Sequence, residues 1–141
     1  MLFRSLGITP RVAMVTFSNF GSAVHDESRR VAAAADMVRT MDPDLEIDGE
    51  MQADTAVDFV KLTKTYPFAR LTGPANVLVF SRLSVANAAY KLLDELGGAD
   101  VIGPVLLGMA KPVHLLPRGS SLRNVMNLAT VASVDWQARS R

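Results

Sequence analysis

A chain of 141 residues with a formal net charge of +1 is long enough to bury one core and too evenly charged to show a nucleic-acid footprint. Although 49% of its residues are hydrophobic, no run approaches the ~18 apolar residues of a membrane span, and Arg4 interrupts the N-terminal apolar stretch with no cleavage-type motif behind it. The absence of cysteine excludes disulfides and thiolate metal sites, and the expectation is one cytoplasmic domain over residues 1–141, with neither membrane nor nucleic acid as partner.

Strands and helices alternate along the chain. The apolar, β-branched run RVAMVTF at 11–17 predicts a buried strand. Val31, Ala34, Ala35 and Val38 recur at helical steps and predict a helix over 22–40. A strand is expected over 45–48, ending at Gly49, and a helix over 51–65 with Ala53, Ala56, Val57, Val60 and Leu62 in its pattern. The segment PFARLTGPAN reads as a surface loop. NVLVFS predicts a strand that closes at Ser81, and the next helix has Ser84 as cap and Gly97-Gly98 as stop. Short β-like pieces broken by Gly and Pro fill 101–119, and a last helix over 122–137 carries Val125, Leu128, Ala129 and Ala132 on one face.

Continuous apolar strands alternating with helices predict a layered α/β/α sheet. Ligands of such sheets bind beyond the carboxyl ends of the strands, which gathers the loops at 18–22, 48–54, 81–84 and 108–119. The first, Ser18-Asn19-Phe20-Gly21-Ser22, admits two readings. It is an anion site made of backbone N–H groups and hydroxyls ahead of a helix, or a plain strand-to-helix turn with Ser22 as N-cap. The acids Asp48, Glu50 and Asp54 resemble a hard-cation site, but acids are also favoured at helix N-termini, so no metal is assigned. His25 is expected on the first helical turn facing solvent, His114 as a hydrogen-bonded structural residue, and Met109, Met126 and Trp136 as packing. The glycines at 97, 98, 103 and 108 form no dinucleotide fingerprint, so no NADP is assigned.

Taken in order, FSNFGS, IDGEMQADTA, GPANVLVF, ANAAYKLLDELGGADVIGPVLLGMAKPVHLL and VMNLATVASVDWQ closely resemble the phosphate acetyl/butyryltransferase family over residues 11–137. SNFGS and the spacing toward the final Gln look most like the C-terminal domain of NADP-dependent malic enzymes. The resemblance implies the C-terminal lobe of the phosphotransacetylase fold, related to isocitrate and isopropylmalate dehydrogenases. It also implies acetyl-CoA or another acyl-CoA as ligand, and a homo-oligomer, dimeric or larger. Only the C-terminal half of a two-lobed domain is matched. The malic enzyme catalytic domain, with its NADP and divalent metal, lies outside the resemblance.

Transfer of acetyl between CoA and phosphate needs a base for the thiol proton and cationic donors for the developing charge. Active members resemble Ser-Arg-Gly with an Asp six residues after the arginine. Here the stretch is LLPRGSSLRN: Arg118 and Gly119 match, but Pro117 takes the serine position and Asn124 the aspartate position. No catalytic residue is therefore assigned. The resemblance implies a binding site instead, with Lys111 and Arg118 on the CoA phosphates, Ser18, Asn19, Gly21 and Ser22 as hydrogen-bond donors, and Asp48 lining the cleft. Three functions follow: a regulatory domain that senses acetyl-CoA, an active phosphate acetyltransferase with a substitute base, and a module for assembly alone. The apolar C-terminal helix is expected to contact the absent lobe or a second subunit.

Overall fold

The computed structural model describes residues 7–139. They fall into two compact units, Pro10–Asn87 and residues 88–139 together with 7–9. The first unit holds β1 (Arg11–Val15), α1 (Asp26–Met41), β2 (Glu46–Met51), α2 (Ala53–Val57), α3 (Phe59–Thr65) and β3 (Val77–Phe80). The boundary between units falls within α4 (Leu83–Gly97), and the second unit also contains α5 (Leu122–Arg139).

Three parallel strands make one sheet in the order β2-β1-β3. β1 is central and runs with Val12, Ala13 and Val15 buried, as an apolar strand covered on both faces should. Because successive side chains point to opposite faces, Val12 joins Leu45, Ile47 and Val38 in one core cluster. Ala13 and Val15 join Met51, Ala56, Leu62 and Leu71 in another. α1 supplies the cover on the first face, and α2 with α3 supplies it on the second, so the expected α/β/α layering is present in this unit.

Several boundaries differ from expectation for local physical reasons. α1 begins at Asp26, and its N-cap is His25 rather than Ser22: His25 Nδ1 accepts from the Glu27 N–H, while Ser28 Oγ accepts from the His25 N–H. The helix expected over 51–65 is two helices, because Asp58 leaves helical geometry and caps α3 by accepting the Lys61 N–H at 2.9 Å. Val57 and Val60, placed on the buried face by periodicity, are exposed. The 67–76 segment is not merely a surface loop: Leu71 is in the core.

β2 contains the decisive irregularity. Met14 pairs with Gly49 and Val15 with Met51, so Glu50 is an extra residue between two registered pairs. Such a bulge re-aims the side chain it carries. Gly49 makes it possible, with φ +129° and no room for a side chain: a Cβ would stand 2.7 Å from the Met14 carbonyl oxygen and 3.0 Å from Met14 Cβ.

In the second unit, the 101–119 stretch contains no strand, only an antiparallel bridge between Val105 and His114. α4 ends at Gly97, followed by Gly98 at φ +62°, as the paired glycines led one to expect. Of the expected apolar face of α5, Leu128 alone is buried.

Gly49→Ala is expected to lower unfolding stability by about 1–3 kcal/mol from backbone strain, with the clash against Met14 added. A denaturant titration checks this; a midpoint equal to that of the parent contradicts the fit described for Gly49.

Candidate functional site

In a parallel sheet the strands end on one edge, and the segments after β1, β2 and β3 meet there. Thr16 N–H donates to the Met51 carbonyl, Gln52 N–H to Asn19 Oδ1 at 2.8 Å, and Gln52 Nε2 to the Phe17 carbonyl at 2.7 Å. Two of the four loops gathered from the sequence, 18–22 and 48–54, are thereby brought together, and the third, 81–84, is tied to Glu27 at the start of α1. The fourth, 108–119, belongs to the second unit.

The Ser18–Ser22 turn has its backbone donors already committed. Ser18 N–H donates to Thr16 Oγ1 (3.0 Å), Asn19 N–H to Ser22 Oγ (2.9 Å) and Phe20 N–H to the Glu50 carbonyl (2.8 Å). Gly21 N–H donates to Glu50 Oε1 (2.6 Å), Ser22 N–H to the Asn19 carbonyl (3.0 Å) and Ala23 N–H to Ser18 Oγ (3.1 Å). Ser18 Oγ donates in turn to Glu50 Oε1 at 2.9 Å. The turn does cradle an anion, and the anion is the carboxylate of Glu50, which is 4% exposed. Ser18 and Asn19 are buried; Gly21 and Ser22 reach the surface.

Two unusual backbone positions complete the turn. Phe20 sits at φ +48°, uncommon for a bulky residue. Its ring packs on Tyr66 and Phe68 at centroid distances of 5.0 and 5.1 Å, which holds the conformation in place. Gly21 follows at φ +85° with open space where a Cβ would point, so its glycine serves the backbone conformation.

Asp48 was expected to line a cleft. It is buried, with Oδ1 accepting the Gly49 N–H at 2.9 Å and Oδ2 accepting the Arg70 N–H at 2.7 Å. Both oxygens serve the fold, tying β2 to the 69–71 segment. Asp54 pairs with Lys61, whose hydrogen bond holds the Asp54 carboxyl below its usual range and raises the lysine. Asp48, Glu50 and Asp54 thus face three separate sets of partners. Glu27, on the first turn of α1, accepts from Ser81 Oγ at 2.6 Å and pairs with Arg82 at 2.7 Å. The Ser81 hydrogen bond and then the Arg82 charge keep its carboxyl below the ordinary value. That contact links the end of β3 to the start of α1.

In the second unit, Lys111 and Arg118 are both exposed, and neither makes a hydrogen bond or ion pair among the described residues. Arg118 lies in a turn where Pro117 O accepts from Ser120 N–H and Oγ, with Gly119 at φ +84°. Ser121 Oγ accepts the Asn124 N–H at the start of α5. His114 departs from expectation: both ring nitrogens are buried and have no hydrogen-bond partner among the described residues. Glu50, weighed in the sequence only as one of three acids resembling a cation site, is instead the buried acceptor that holds the Ser18–Ser22 turn.

In parallel α/β units of this architecture, ligands bind outside the carboxyl ends of the strands. Residues 1–133 match the family described as phosphate acetyl/butaryl transferase, and the chain belongs to that family. It is 40% identical over 132 residues to a phosphate acetyltransferase of Paracoccus denitrificans, covering 94% of this chain and 42% of that protein. It is 41% identical over 134 residues to an NADP-dependent malic enzyme of Rhizobium meliloti, covering 95% of this chain and 18% of that enzyme. Among solved structures, a EutD phosphotransacetylase from Staphylococcus aureus superposes with a TM-score of 0.88 at 40% identity, over 97% of this chain and 42% of that one. The chain therefore spans less than half the length of these relatives.

Glu50→Ala removes the acceptor of the buried Ser18 hydroxyl and of the part-buried Gly21 N–H bond and is expected to cost about 2–4 kcal/mol of unfolding free energy. Glu50→Gln is expected to cost less than half as much, because both bonds fall on one oxygen that the amide retains. Equal losses in chemical denaturation would contradict the geometry at Oε1.

Proposed function

We propose that this chain is a non-catalytic regulatory domain of the malic-enzyme type that binds acetyl-CoA as effector and supports homo-oligomer assembly. The observation that carries the reading is Arg118. Its guanidinium is exposed and unpartnered among the described residues, while Pro117 and Asn124 stand where the resemblance puts a serine and a catalytic aspartate. A proline has no hydroxyl, and an asparagine amide takes no proton near neutral pH; loss of a positioned base typically costs ~10²–10⁴ in rate. Lys111 supplies a second free cation, and a phosphate bound by such groups gains charge-assisted hydrogen bonds.

Malic enzymes and phosphate acetyltransferases both stand among the relatives at about 40% identity, which supports the family and leaves the choice between them to the site chemistry. Assembly is supported by α4, which buries none of its residues and exposes Leu83, Leu92, Leu93 and Leu96. Apolar patches of this kind mark contact surfaces. The occupant of that surface is a second copy in this reading. An effector acts only through unequal affinity for two states of the whole assembly.

Calorimetric titration with acetyl-CoA, run beside a thiol-release assay, tests the proposal. Saturable binding is expected, weakened about 10- to 100-fold by Arg118→Ala, the equivalent of roughly 1.5–3 kcal/mol for a charge-assisted bond. Acetyl transfer is expected at background. Turnover on the order of ~10 s⁻¹ would make the chain a transferase, and failure to bind acetyl-CoA would overturn the regulatory reading.

A further inference from the structure

We propose that Arg139 is a positioning residue for the 108–111 segment and sets Lys111 to receive the phosphates of the acyl-CoA. This rests on the acyl-CoA reading and adds the device that organises its lysine. Arg139 Nη1 donates to the Met109 carbonyl at 2.6 Å, across 30 residues of sequence. Its Nε donates to Asp135 Oδ1 at 2.9 Å, one turn earlier on α5. Asp135 is 5% exposed, and its other oxygen has no partner among the described residues. A buried carboxylate left without its cation is strongly disfavoured, so the pairing fixes the guanidinium on the last turn of the helix. The remaining donors of the fork are then aimed by a side chain that is itself held at its base.

What the fork holds is a stretch that needs holding. Residues 108–112 form neither helix nor strand, and Gly108 sits at φ +81° with open space around the position of a Cβ. Lys111 follows the clamped carbonyl by two residues and carries a long, flexible side chain. Fixing its backbone reduces the ordering cost of binding, which is the general route by which preorganisation raises affinity. Arg139 touches no ligand in this scheme; it acts through Met109 and Lys111.

The test uses the 141-residue chain and two probes, acetyl-CoA and S-acetylpantetheine, which carries the thioester without the nucleotide phosphates. Arg139→Gln is expected to weaken acetyl-CoA binding about five- to tenfold and to leave S-acetylpantetheine unchanged. Lys111→Ala should give the same pattern, and the double variant should be no weaker than Lys111→Ala alone, because one residue acts through the other. Arg139→Lys, which keeps the charge but gathers its donors on one nitrogen, should fall between parent and Arg139→Gln, and it carries the test if the glutamine variant melts at assay temperature. Should the parent fail to bind acetyl-CoA, the regulatory reading itself is lost. Should the parent bind while Arg139→Gln has no effect, or while the two losses multiply in the double variant, the positioning role is overturned and the acyl-CoA site stands. Equal weakening of both probes also overturns it, since a merely structural role would act on either ligand.

Discussion

Placing a carboxylate inside a protein costs several kcal/mol unless donors surround it, and Glu50 is where this chain meets that demand. Gly49 lets β2 approach Met14 closely, the bulge takes Glu50 out of register, and the carboxylate then enters the turn that follows β1. There it accepts from Ser18 Oγ and from the Gly21 N–H. Those bonds fix the turn, and the turn fixes what comes next. Ser28 Oγ donates to the Ala23 carbonyl at 2.8 Å and accepts the His25 N–H, which starts α1 at Asp26. The exit of one strand, the end of another and the entry of a helix therefore depend on one buried acid.

That constraint also decides how the chain is able to meet an anionic ligand. A helix N-terminus preceded by serines and glycine attracts anions because its N–H groups lack partners. In this chain the N–H groups of Ser18 to Ala23 are satisfied internally, and an external phosphate would have to displace Glu50 to use the Ser18 hydroxyl and the Gly21 N–H. Lys111 and Arg118, in the second unit, are exposed and without a partner among the described residues. The proposed function draws on these two cations, which stand beside Pro117 and Asn124, where the resemblance puts the hydroxyl and the carboxylate of an acetyl-transfer site.

β1 was legible because a buried parallel strand reads as an apolar run, as Val12 to Val15 does, and β3 (Val77–Phe80) is an apolar run too, although none of its residues is fully buried. α4 was legible from its glycine stop. What escaped was set by tertiary geometry. β2 continues through Asp48, Gly49 and Glu50 to Met51, a segment whose acids argue against burial unless their partners are known, and those partners come from 18 to 21 and from 70. His25 is not among the preferred cap residues, so Ser22 was the natural choice. Asp58 breaks a helical pattern that periodicity alone carries straight through. The family motif made Arg118 visible, whereas the strap from Asp135 through Arg139 to Met109 joins residues that no spacing rule connects.

Hydrogen exchange read by mass spectrometry, with and without saturating acetyl-CoA, addresses the central claim most directly. Amides of residues 18–23 already donate to protein acceptors, and their exchange should be the same in both samples. Peptides covering 108–119 should exchange more slowly with the ligand present. Slowed exchange at 18–23 with none at 108–119 would contradict the account, because it would make the serine turn the ligand site and Glu50 a group that the ligand replaces.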